Sequence, residues 1–164
     1  MNQIAQAVKA SGKSGDIVVL EGTVDPARDT PARLAAYKQL FGTNADWTLF
    51  TAGQQGTAPL WKSLGVYYKK VAEDSPAATD WYTGKKLTYD VDHQDLVMII
   101  GPDQHLKWVT TGTPNAVGTK LPATLDAFLS DEGQANHKHP QDPSWTTEQV
   151  QEALSQITGS TITN

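Results

Sequence analysis

The chain has 164 residues, no cysteine and a net charge of −5. That length suits one domain with a real core. The charge argues against a nucleic-acid or anionic-membrane surface, and the absence of cysteine excludes disulfides, thiol chemistry and cysteine-based metal sites within these residues.

Hydrophobic residues make up 38% of the chain, and no apolar run nears bilayer-spanning length. Long polar loops around a modest core are expected. Met1–Ala10 reads as helix, with Ile4 and Val8 on one face. Ser11–Asp16 is a turn. Its Gly12-Lys13-Ser14 invites comparison with a phosphate loop, but no glycine stands five residues earlier. The stretch also follows a helix and precedes a strand, the reverse of what such a loop needs. Ile17–Leu20 is an apolar run that predicts a buried strand. The polar turn Val24-Asp25-Pro26-Ala27-Arg28-Asp29-Thr30 follows. Helix is predicted from Pro31 to Phe41, with Thr30 as N-cap and Pro31 at the first position. Leu34, Tyr37 and Phe41 share its apolar face.

Gly42–Asp46 ends that helix. Trp47–Phe50 is a short strand candidate and Gly53–Gly56 a loop. Thr57–Leu64 is a short helix whose stripe of Leu60, Trp61 and Leu64 predicts core packing. Val66–Val71 and Tyr89–His93 read as two arms of a hairpin around the polar excursion Ala72–Lys86. Leu96–Ile100 and Leu106–Thr110 form a second hairpin over the turn Gly101–Gln104, with His105 expected exposed. Pro122–Leu129 predicts a closing helix. Gly133–Pro143 reads as a linker. Its His137 and His139, a His-x-His pair, are expected to be exposed and to chelate weakly at best. Thr146 and Gln149 fit a capping box that opens an amphipathic helix through Ile157. Gly159–Asn164 is a polar end.

Three stretches carry a family pattern in order. The first is the strand, Thr23-Val24-Asp25-Pro26-Ala27-Arg28-Asp29-Thr30-Pro31 and helix. The second is Leu64-Gly65-Val66-Tyr67-Tyr68-Lys69-Lys70. The third is Tyr89-Asp90-Val91-Asp92-His93, followed by Leu96–Ile100 and Gly101-Pro102-Asp103. Together they resemble the Sco/SenC copper-chaperone family, over about Asn2 to Leu129. The resemblance implies an α/β, thioredoxin-like three-layer sandwich with a mixed sheet. The domain would be 1–130, followed by a linker and C-terminal amphipathic helix at 131–164.

The resemblance also implies a site. Members bind copper through a Cys-x-x-x-Cys pair and one distant histidine, which would be His93 here. Asp90 and Asp92 are the candidate acceptors for its far ring N–H. Thiolates suit Cu(I), and an imidazole accepts Cu(II) as well. The Cys pair would fall just upstream of Met1, so the chain is expected to be a piece that lacks the pair, the central strand before it and the membrane anchor. Ile17–Glu21 and Leu96–Ile100 should then form no ladder with each other. The implied role is delivery of copper to the binuclear centre of cytochrome c oxidase, or reduction of that centre's thiols, by a membrane-anchored extracytoplasmic protein. Its partner would be the copper-bearing oxidase subunit or another copper-delivery protein. A thiol-disulfide reductase role for the longer protein and a Cys-free interaction module are the alternatives.

Overall fold

The structure, a computed structural model, describes residues 1–42, 46–139 and 144–163. Helix α1 (Asn2–Ala10) turns Ile4, Ala5, Ala7 and Val8 into the core. Strand β1 (Leu20–Gly22) runs parallel to β2 (Thr48–Phe50). The ladder starts later than the apolar run at 17–20 suggests. Only Val19 of Val18, Val19 and Leu20 is buried, and Val18 is 74% exposed. The run is therefore a one-faced edge, not a strand covered on both sides.

Helix α2 (Pro31–Gln39) begins as its sequence dictates. Thr30 is extended and its side chain accepts the Arg33 N–H, with Pro31 in the first turn. Helix α3 (Gly53–Ser63) takes in Gly53–Gly56, where a loop was expected. The Thr57 hydroxyl donates back to the Gly53 carbonyl at 2.7 Å and ties down that first turn. Trp61 is buried, as its stripe predicts, and its indole N–H donates to the Thr23 carbonyl at 2.8 Å. Gly22 makes this approach possible: a Cβ there would meet Phe50 at 2.5 Å and Trp61 at 2.7 Å.

β3 (Tyr68–Val71) and β4 (Asp90–His93) form an antiparallel ribbon. β5 (Leu96–Ile100) and β6 (Leu106–Thr111) form a second, with a register shift after Ile99. β7 (Thr113–Pro114) lies parallel to β8 (Ser144–Trp145). Strands thus pair two by two, and no ladder joins β1 to β5 among the described residues.

The expected helix at 122–129 is only one turn, α4 (Ala123–Asp126), and Phe128 is exposed. A new helix starts directly after it. Ser130 is extended and its side chain accepts the Gly133 N–H, which opens α5 (Asp131–Lys138) where a linker was expected. Asp131 and Glu132 in its first turn and Lys138 in its last suit the helix dipole. Residues 140–143 of that linker, and 43–45 of the turn after α2, lie outside the described residues. Helix α6 (Thr147–Thr158) has the expected capping box of Thr146 and Gln149 and ends at Gly159 with φ +65°.

One core joins these parts: Ile4, Ala5, Ala7 and Val8 of α1, Val19, Trp47, Ile99, Trp145, and Val150, Ala153 and Leu154 of α6, closed by Ile162. Residues on both sides of the 130/131 boundary share it. The unit is mixed α/β with parallel and antiparallel pairs, the class expected from the sequence.

Candidate functional site

His93 closes β4, directly opposite Tyr68 of β3. The Gln94 N–H donates to the Tyr67 carbonyl at 3.0 Å and carries the pairing one step further. The His93 side chain is 41% exposed, so its ring can meet a ligand from solvent. Its Nδ1 stands 3.4 Å from Asp95 Oδ1.

The two carboxylates expected beside the ring are elsewhere. Asp92 lies across from Lys69 and Asp90 across from Val71. Neighbouring strand residues alternate faces, so both project away from the face that His93 shares with Tyr68. Asp90 instead accepts the Val91 N–H at 2.7 Å. Asp95, two residues past His93 where the chain has left the ribbon, takes the place assigned to them. It is the carboxylate able to steady the ring.

One member of the His-x-His pair differs from expectation. His137 is half-buried on α5, and its Nε2 lies 2.5 Å from the Thr119 carbonyl. His139 is exposed. His105 is exposed, with Nδ1 at 2.8 Å from the Asp103 carbonyl. No three His, Asp or Glu side chains among the described residues converge as a metal-binding group. At His93, one imidazole with a flanking carboxylate is therefore what the described residues offer a metal. That set does not by itself hold Cu(I) against competitors.

The loop after β1 carries a denser cluster. Asp25 is 3% exposed. Its carboxylate accepts from the Tyr89 hydroxyl on both oxygens, at 3.1 and 2.9 Å, and from Arg28 Nε at 2.5 Å. Lys70 Nζ stands 3.8 Å away. Arg28 and Lys70 both lie over the Tyr89 ring, at 4.7 and 4.0 Å from its centroid. Burial works against the charge, but the bonds from Tyr89 and Arg28 outweigh it and hold the Asp25 carboxyl below its ordinary range. Nearby, Arg33 bridges Asp29 at 3.1 Å and Asp80 at 2.5 Å. Asp80 is depressed in the same way, against burial, by Arg33 and the backbone of Thr83.

These two carboxylates set an acid dependence. Each folded-state value lies below the unfolded one. The stability each contributes is complete above the unfolded value, near about 3.9, and is lost as pH falls through the lower folded value. Glu21 acts in the opposite sense, because burial pushes its carboxyl up. The variant Asp80→Asn isolates one contribution. Its urea midpoint should fall less steeply than that of the parent as the solution is acidified below about pH 4. Parallel curves would refute the assignment.

The Asp25 cluster was only half visible in the sequence. Its carboxylate and arginine sit in the recognisable turn, but the Tyr89 that completes it is 64 positions away. No local signal points to that partner.

Residues 1–123 match the family model described as SCO1/SenC. No curated protein matches the chain. Among solved structures, a crystal structure of Arabidopsis thaliana ScoI with copper bound is similar, with 21% identity over 77% of this chain and 68% of that one, at a TM-score of 0.49. With three quarters of its length under one family model, the chain belongs to the SCO1/SenC family.

Proposed function

We propose that the chain is the copper-chaperone-type domain of an SCO1/SenC protein, not an enzyme, with copper as its cargo and His93 as the nitrogen donor it supplies. Family membership carries this reading. The exposed His93 ring at the ribbon end, flanked by Asp95, supports it. Cu(I) is soft and prefers thiolates, and none is present among these 164 residues. Tight Cu(I) capture therefore requires sulfur ligands from outside this sequence. We further propose an extracytoplasmic, membrane-anchored setting. The target would be the copper-bearing subunit of cytochrome c oxidase or another copper-delivery protein.

The absence of cysteine favours one second reading, a Cys-free interaction module that keeps the fold as scaffold. Cu(I) titration followed through the histidine ring signals in NMR separates the two. In the chaperone reading His93 responds first among the four histidines, the binding is displaced by a competitor that holds free Cu(I) at nanomolar levels, and His93→Ala abolishes the response. A His93 ring that stays silent while other histidines respond sinks the chaperone assignment. Tight one-to-one binding that disappears in His93→Ala would reveal ligands that the geometry does not bring together.

A further inference from the structure

We propose that Asp25 is a positioning residue for His93, acting through Tyr89 and Lys70. The importance of His93 rests on the function proposed above; the mechanical claim does not. The β3–β4 ribbon that carries His93 is a separate two-stranded sheet, and among the described residues no ladder ties it to β1–β2 or β5–β6. Sheet hydrogen bonds therefore fix the two arms to each other but not to the body of the domain. The chain itself links His93 to β5 through Gln94 and Asp95, and side chains at the other end of the ribbon supply a second attachment.

Tyr89 immediately precedes β4, and its hydroxyl donates to both oxygens of Asp25. Its carbonyl accepts from Arg28 at 3.3 Å. Lys70 leaves β3 across from Val91 and brings its ammonium to 3.8 Å from Asp25 and 4.0 Å from the centre of the Tyr89 ring. Both arms thus reach the same buried carboxylate. Asp25 is itself fixed: its N–H donates to the Thr23 hydroxyl at 2.8 Å, and its carboxylate holds Arg28 and the Ala27 N–H.

The register shows how the attachment reaches His93. Tyr68 pairs with His93 and Lys70 with Val91, so these four side chains share one face of the ribbon. The clamp and the imidazole stand at opposite ends of that face. His93 lies four positions beyond Tyr89, a lever of about 13 Å at the usual rise per strand residue. A rotation at Asp25 therefore displaces the ring. The conspicuous turn at 24–31 is, in this view, the seat on which the ligand-bearing ribbon is mounted.

The test measures orientation and does not involve copper. Residual dipolar couplings of the amides at 68–71 and 90–93 are compared with those of α1 and α6 in the parent chain, Asp25→Asn, Tyr89→Phe and Lys69→Ala. In the parent, ribbon and helices fit one alignment tensor. In Asp25→Asn the ribbon couplings should depart from the tensor that still fits α1 and α6. Tyr89→Phe keeps the ring under both cations and removes only the hydroxyl, so it should give a smaller departure in the same direction. Lys69→Ala, on the opposite face, should give none. If Asp25→Asn fails to fold, Tyr89→Phe decides. Ribbon couplings unchanged in both variants overturn the proposal, as does an equal departure in Lys69→Ala. A silent His93 in the Cu(I) titration would remove the copper reading and leave this result standing.

Discussion

Trp47→Ala should cost about 3–5 kcal/mol of stability, the usual loss when a buried aromatic side chain is cut to alanine. Trp47 is 1% exposed and sits in the single core between α1, α6 and the β1–β2 pair. Its ring meets Phe41 edge-on at 5.2 Å, and Lys38 donates to its carbonyl at 2.5 Å while lying 5.9 Å from the ring centre. The variant therefore opens a cavity and also removes the ring against which Phe41, just past the end of α2, packs. Domains of this size are typically stable by about 5–15 kcal/mol, so the loss is a large part of the whole. Urea unfolding followed by circular dichroism measures it. Phe128→Ala, at an exposed position, is the comparison and should stay within about 0.5 kcal/mol. Equal midpoints for the two variants would mean that the core is not organised around Trp47.

What the sequence made legible was what is local. The capping box at Thr146 and Gln149, the Thr30-Pro31 helix start and the five-residue apolar run Leu96–Ile100 each carry their signal within a few residues, and each appears as expected. Helix α5 was missed for a physical reason. None of its residues is buried, so it has no apolar period, although Ser130, Asp131 and Glu132 spell a helix start. Helix α3 was cut short because Gly53 and Gly56 read as loop, and helix propensity is a weak prior that tertiary contacts override.

The candidate site divides along the same line. His93 is singled out by resemblance alone, and the structure places it at the end of the ribbon, where the hairpin reading puts it. The carboxylate beside it was misassigned because adjacency in sequence is not adjacency in space. Asp92 is next in the chain but on the wrong face, whereas Asp95 has left the strand and folds back. The bonds from Tyr89 to Asp25 and from Arg33 to Asp80 span 64 and 47 positions, and no periodicity encodes them.

Asp80→Ala should destabilise the chain by about 3 kcal/mol, the lower end of the cost of breaking a buried ion pair by removing one partner. Asp80 is 6% exposed and organises the polar excursion between β3 and β4. One of its oxygens accepts from the Tyr82 N–H at 2.9 Å, the Thr83 N–H at 2.7 Å and the Thr83 hydroxyl at 3.1 Å. The other holds Arg33 of α2 at 2.5 Å. The substitution leaves all four donors without that acceptor. Arg33 keeps Asp29 at 3.1 Å and its place 5.2 Å from the centre of the Trp81 ring, which places the cost at the low end. The excursion should loosen first, so amide exchange at 82–84 should accelerate by a larger factor than exchange in α6. Asp46→Ala is the fair comparison. Its bridge to Lys9 is 2.9 Å long but open to solvent on both sides, and such pairs are worth about 0–1 kcal/mol. The two deletions remove the same charge, so they separate burial from Coulomb attraction at the surface. If Asp80→Ala costs no more than Asp46→Ala, the carboxylate is a surface partner of Arg33 and the excursion is held by something else.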